Sequence, residues 1–239
     1  MKLEEKNYFN KISGIFDTHF NVYLKPAGIL RVQRRIKLFA KHCNLNPGLK
    51  IVEIGCGTGE YSKALLQYSL NLFATDSAFN MLKEAQKKTG IAKNIIFFVS
   101  DIEALPVSGN KFDIVVGNSI LHHLKTEKAL KEIYRVLKRG GRCAFSEPNM
   151  LNPQIFLQKK IKLIKRMAGD SLDETAFLRW KAKAMFEKSG FKNIIVKPFD
   201  FLHPHTPTPF VKIIDSIGMF LERTPLKEIA GSLFITAEK

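Results

Sequence analysis

Three glycines at alternate positions, Gly55, Gly57 and Gly59, follow the apolar run Ile51-Val52-Glu53-Ile54 and precede a helical pattern. A strand, a tight glycine turn and a helix in succession form a binding surface, because a ligand can approach the bare main chain and meet the helix N-terminus. The spacing is G-x-G-x-G; the dinucleotide fingerprint G-x-G-x-x-G needs a glycine where this chain has Glu60. The acid Glu53 stands just before the loop, where it repels a pyrophosphate and suits a ligand with a cationic amino group. Asp76 closes the next apolar run, the place where open α/β sheets put a carboxylate that accepts from ribose hydroxyls. Asp76 and its neighbour Ser77 are equally able to cap the helix that follows.

Acid–base chemistry has its own candidates. His122 and His123 follow the apolar run 112–117, and an imidazole titrates in the range a general base needs. Adjacent residues in a turn can take different exposures, so that one faces the cleft while the other packs or meets solvent; the alternative is that both only shape the turn. Glu147, in Glu147-Pro148-Asn149, ends a later strand at the carboxyl edge where ligands bind, as an acid–base or substrate-orienting group. His203-Pro204-His205 lies in a proline-rich loop with no third ligand beside it, so no metal is expected there.

The elements that must position these groups follow from the apolar periodicity. Two helical patterns, around Tyr8 to Phe20 and Ile29 to Cys43, flank Lys25-Pro26-Ala27-Gly28 and predict an N-terminal helical cap, from which Tyr8, Phe16, His19 and Tyr23 project over the site. Strands at 50–55, 71–75, 95–99, 112–117 and 141–147 alternate with helices at 59–69, 78–89 and 126–138, and repeated βα units imply a parallel sheet with helices on both faces. Gly140-Gly141 supplies the end of the last of these helices. Beyond Pro148 a basic amphipathic helix runs from Asn152 to about Arg166, Asp173 caps a helix through Ser189, Phe191 to Lys197 is a strand, and an apolar helix precedes a final strand at Gly231 to Ala237. The expected organisation is one domain over 1–239: a helical cap (1–45), a core (48–147) and C-terminal helices and strands (148–239).

With these runs in order, the chain resembles the class I S-adenosylmethionine (SAM)-dependent methyltransferases, whose first motif is acid-x-G-x-G-x-G. It is most similar to the small-molecule branch that includes quinone-biosynthesis (type 11) enzymes. The resemblance covers 48–147 well and 173–197 loosely. It implies a Rossmann-like, doubly wound, seven-stranded α/β sheet. SAM is the implied cofactor and S-adenosylhomocysteine the product. In that reading Glu53, Gly55, Cys56, Gly57, Gly59, Asp76, Ser77 and Met81 hold the cofactor. Asp101 and Ile102 hold and sandwich its base, and Asn118 lies beside the methionine moiety. His123, His122 and Glu147 are the catalytic candidates. Methyl transfer from a sulfonium rests largely on alignment, so a dedicated base is optional.

The 38 Lys and Arg against 22 Asp and Glu leave a net charge of +16, which suits either an acidic partner or a solvated lysine-rich surface. An RNA-directed enzyme is one alternative, but the D/N-P-P-aromatic pattern and a Pro-Cys nucleophile are both missing. A non-catalytic SAM-binding regulator is another, and the complete set Glu53, Asp76 and Asp101 argues against a decayed pocket. Cys43, Cys56 and Cys143 are scattered, no apolar run spans a bilayer, and the N-terminus has no hydrophobic signal core. A cytoplasmic protein acting on a small or lipid-linked acceptor is expected; the basic segment Gln154 to Met167 suits either a helix that packs its apolar stripe on the protein and solvates its lysines or one in peripheral contact with an anionic membrane.

Overall fold

The computed structural model describes residues 3–20, 23–161 and 175–239. Strands β1 (Lys50–Ile54), β2 (Asn71–Asp76), β3 (Ile95–Val99), β4 (Phe112–Asn118), β5 (Leu137–Pro148), β6 (Lys192–Phe199) and β7 (Ser232–Glu238) make one sheet in the order β3-β2-β1-β4-β5-β7-β6. The first five strands pair in parallel, as the repeated βα units predict. β7 runs antiparallel between β5 and β6, so the seven-stranded sheet is mixed. The connection from β6 to β7 returns to a neighbouring strand without crossing the sheet, which an antiparallel pair permits.

The helices are α1 (Leu3–Ile12), α2 (Phe16–Phe20), α3 (Pro26–Cys43), α4 (Glu60–Leu65), α5 (Phe79–Thr89), α6 (Thr126–Val136), α7 (Pro153–Lys160), α8 (Arg179–Lys188) and α9 (Val211–Leu221). α3 starts at Pro26, ahead of the expected Ile29, because proline's fixed φ suits the first helical position. α4 is shorter than the expected 59–69: it gives way at Leu66 to a 3-10 turn that ends on left-handed Ser69. α6 ends at Val136, and the Gly140–Gly141 pair lies inside β5 instead of capping a helix. There Phe112 pairs with Leu137 but Ile114 with Arg142, so β5 carries an excursion that Gly140 turns at φ +74. The basic segment forms α7, whose Asn152 side chain accepts from the Ile155 N–H at 3.1 Å. Its continuation through Arg166 and the expected cap Asp173 lie outside the described residues.

Period-two alternation distributes the core over both faces. Val52, Ile54 and Val115 turn to one side, under α6 residues Leu130 and Ile133 and α8 residue Phe186. Ile51, Ile114 and Val116 turn to the other, under Val32, Ile36 and Phe39 of α3 and Leu65 of α4. All of these are almost fully buried, and truncating one such aliphatic or aromatic side chain to alanine costs about 2–5 kcal/mol. β1 lies between β2 and β4, so chain order reverses there and a crevice opens at the carboxyl ends of the strands.

Candidate active site

That crevice holds a cavity of about 220 Å³. β1 contributes Glu53, and the loop after it Gly55, Cys56, Gly57 and Thr58, with Glu60 and Tyr61 from α4. Asp76 ends β2 and Ser77 follows it, with Met81 from α5. Asp101 and Ile102 follow β3, and Asn118, Ser119, Ile120, His123 and Leu124 follow β4. Phe9, Phe16 and Tyr23 come down from the N-terminal helices.

The glycine loop is built by local hydrogen bonding. Cys56 N–H donates to the Thr75 carbonyl at 3.0 Å, and Gly57 N–H donates to Asp76 Oδ2 at 3.0 Å. Asp76 Oδ1 also accepts from Ala78 N–H at 2.9 Å, so this carboxylate caps α5 and braces the loop at once. Burial raises the Asp76 pKa above its ordinary value against these backbone donors. Gly59 is outside the cavity lining; a Cβ there would stand 2.7 Å from the Ala85 Cβ, so this glycine lets α4 pack closely on α5. A Cβ on Gly57 would meet nothing within 4 Å, which leaves the cavity side of the loop open.

Glu53 is buried and accepts from the Ser62 hydroxyl. Burial pushes its carboxyl up to about 8, with Ser62 opposing and Asp76 adding to the rise. Asn118 lines the cavity, and its Oδ1 is buried without a hydrogen-bond partner among the described residues. Asp101 is exposed at the rim and turns back to accept from Glu103 N–H at 3.0 Å.

The two histidines separate as their adjacency permits. His123 lines the cavity, with its ring edge-on to Phe9 at 6.1 Å. His122 points away: its Nδ1 donates to Glu147 Oε2 at 2.7 Å, and both side chains are almost completely enclosed. Glu147 Oε1 also accepts from Ile120 and Leu121 N–H at 3.0 and 2.9 Å. Glu147 and His122 therefore lie behind the turn rather than in the cavity, where they staple the segment that carries His123, and the His122 ring stacks on it at 4.2 Å.

The N-terminal helices roof the site. Asp17 accepts from Thr58 Oγ1 at 2.8 Å and pairs with Lys88 Nζ at 2.6 Å, while Asn10 Oδ1 accepts from Asn80 N–H at 2.9 Å. Phe16 and Tyr23 reach the cavity as expected, and Tyr8 packs against Phe9 instead; the side chain of His19 lies outside the described residues. Sequence reasoning missed Thr58 and Tyr61, whose place beside the glycine loop was a usable signal. Phe9, Ser119 and Leu124 carried none. Ser119 sits at φ +51, a left-handed conformation unusual for serine, and donates its N–H to the Ser146 carbonyl at 2.7 Å. His203 and His205 stack with ring centroids 5.4 Å apart, outside the cavity lining.

Residues 52–145 match the family described as a methyltransferase domain. The chain is similar to the demethylmenaquinone methyltransferase of Staphylococcus carnosus, 30% identical over 212 residues that cover 79% of this chain and 88% of the relative. Its fold is similar to that of a SAM-dependent methyltransferase of Thermotoga maritima described as a possible histamine N-methyltransferase, with a TM-score of 0.70 and 22% identity over 97% of this chain and 98% of that one. It is also similar to phosphoethanolamine N-methyltransferase 2 of Haemonchus contortus in complex with SAM, with a TM-score of 0.61 and 18% identity over 87% of this chain and 52% of that one. A glycine loop and three further loops of acids and polar groups gathered at the switch point agree with these likenesses: the chain belongs to the class I SAM-dependent methyltransferases, resembles their quinone-biosynthesis type, and uses SAM as its methyl donor.

Proposed function

We propose that the protein transfers the methyl group to an oxygen, nitrogen or carbon nucleophile of a small or lipid-linked acceptor bound beside His123. The observation that carries this reading is that Glu53, Gly57, Asp76, Asp101, Asn118 and His123, drawn from the carboxyl ends of four strands and the loops after them, line one cavity. When bound, the sulfonium supplies an electrophilic methyl group that an aligned nucleophile displaces in line.

The residues present fit that donor. The unpartnered Asn118 Oδ1 and the raised Glu53 carboxyl both gain from an ammonium group, one as an acceptor and the other by ionising against it. The two Asp76 oxygens accept from the Gly57, Ala78 and Ser77 N–H groups and retain lone-pair capacity for a ribose hydroxyl. Asp101 and Ile102 hold the base. His123 takes the acceptor's proton where one is released, and His122 with Glu147 positions it. The relatives named demethylmenaquinone methyltransferases support an aromatic acceptor, for which Phe9, Phe16 and Leu124 form apolar walls.

A peripheral membrane role for the same enzyme is supported by Phe156, Leu157 and Ile161 in and after α7, exposed beside Lys159 and Lys160, and by the exposed Ile213, Ile217 and Phe220 of α9. Among the described residues no helix is long and apolar enough to cross a membrane.

Calorimetric titration tests the site. SAM and S-adenosylhomocysteine bind and NAD does not, and Asp76→Ala weakens SAM binding by about 1.5–3 kcal/mol through loss of charge-assisted bonds. Wild-type affinity in a folded Asp76→Ala protein would remove Asp76 from the cofactor site.

A further inference from the structure

We propose that the methyl acceptor is an acid, carrying a carboxylate or a phosphate, and that Arg31 receives its anionic group in a recess opening from the cofactor cavity. The inference rests on the methyltransferase reading of that cavity and names the acceptor's chemical class.

The recess has a volume of about 140 Å³. Tyr23, Tyr61, Asn118 and Ser119 line both it and the main cavity, so the two spaces meet at the end of β4. Its charged lining residues are Arg31 and Arg35; no Asp or Glu lines it among the described residues. A site with two guanidinium groups and no carboxylate at its wall selects for anionic oxygen.

The arginines of α3 are not equally committed. Arg34 is neutralised twice, by Asp215 at 2.8 Å and Glu222 at 2.5 Å. Arg35 pairs with Asp200 at 2.7 Å, donates to the Ser146 and Ser232 hydroxyls at 3.0 and 2.9 Å, and lies over the Phe199 ring. Arg31 has only the same Asp200 Oδ2 that Arg35 holds more closely, at 3.4 Å, and the Leu202 carbonyl, both through Nη1. Its Nε and Nη2 donors have no hydrogen-bond partner among the described residues, and its side chain is 22% exposed. Three cations thus share one carboxylate, Arg34 reaching its Oδ1 at 3.7 Å, and the least satisfied of them, Arg31, lines the recess.

The electrostatics agree with the geometry. Burial, followed by the neighbouring Arg35, lowers the Arg31 pKa to about 10, with Asp200 opposing. An anion in the recess reverses that penalty. Burial also raises both tyrosines, Tyr61 to about 12 and Tyr23 further, so their hydroxyls keep their protons and remain donors.

The test loads full-length protein with S-adenosylhomocysteine and titrates benzoate, phenyl phosphate and the neutral benzamide by calorimetry, with wild type and Arg31→Gln. We expect at least one anion to bind about tenfold or more tighter than benzamide, and Arg31→Gln to weaken that anion about tenfold or more while its S-adenosylhomocysteine affinity stays within about twofold, as for loss of one charge-assisted contact. Preference for phenyl phosphate over benzoate identifies the group as phosphate; the reverse identifies carboxylate. Equal binding of benzamide, no binding of either anion, or an Arg31→Gln protein that keeps wild-type anion affinity would each overturn the proposal. The wild-type comparison stands even where the variant fails to fold. Failure of wild type to bind S-adenosylhomocysteine would instead overturn the cofactor site.

Discussion

His122 and His123 are chemically identical neighbours, and their surroundings divide the labour. His122 is consumed by a buried carboxylate that already holds two backbone N–H groups, while His123 faces the cavity across from Phe9. Replacing His123 with alanine is expected to lower turnover by roughly 10²-fold while SAM affinity changes by no more than about twofold, read from steady-state rates and calorimetry. An unaltered rate would assign His123 to packing against Phe9. Glu53 yields a prediction about stability. Its carboxyl titrates near 4.5 when unfolded and near 8 when folded, chiefly because it is buried. The native chain therefore binds the extra proton between those values, so the contribution is intact below pH 4.5 and is lost as pH rises through 8. Urea unfolding of ligand-free protein should show stability falling by on the order of 2–4 kcal/mol more between pH 5 and 8.5 in wild type than in Glu53→Gln. Parallel curves for the two proteins would mean that Glu53 is not the buried proton-binding group.

At the scale of elements, the five parallel strands and their helices form the frame, and polar contacts tie the first two helices to it. Asp17 ties the roof to Thr58 and Lys88, and Asn10 ties it to Asn80. α7 buries none of its residues, and α9 buries only Val211 and Gly218. A helix that packed its apolar stripe on the protein would hide Phe156, Ile217 and Phe220, which here are exposed. Vesicle co-sedimentation should therefore show binding to anionic but not neutral liposomes. Binding should be lost at high salt and in a variant with Lys159, Lys160, Lys162 and Lys165 changed to Gln, because each basic residue near an acidic surface contributes about 1 kcal/mol. Absence of sedimentation at low salt would leave a freely diffusing acceptor as the better account.

For the whole molecule, the +16 charge is distributed between a solvated surface and an internal cluster in which Arg34 and Arg35 are matched by Asp200, Asp215 and Glu222. Arg31, at the edge of that cluster, is left for a ligand. The residue order alone determined the glycine turn, the strand–helix alternation through β5 and the acids that close β1, β2 and β3. Those signals are local: a positive φ, a period of two or 3.6, and a carboxylate at a strand end act within a few residues. The helix expected to run through Lys138 was misjudged because pairing with β4 draws Leu137 into extended backbone. Only the tertiary structure decided that β7 runs antiparallel, that Glu147 holds His122 behind the turn, and that Arg31 and Tyr23 wall a recess beside Asn118. Each depends on segments far apart in the chain, and neither propensity nor spacing specifies which buried donor will find which acceptor until the sheet order brings them together.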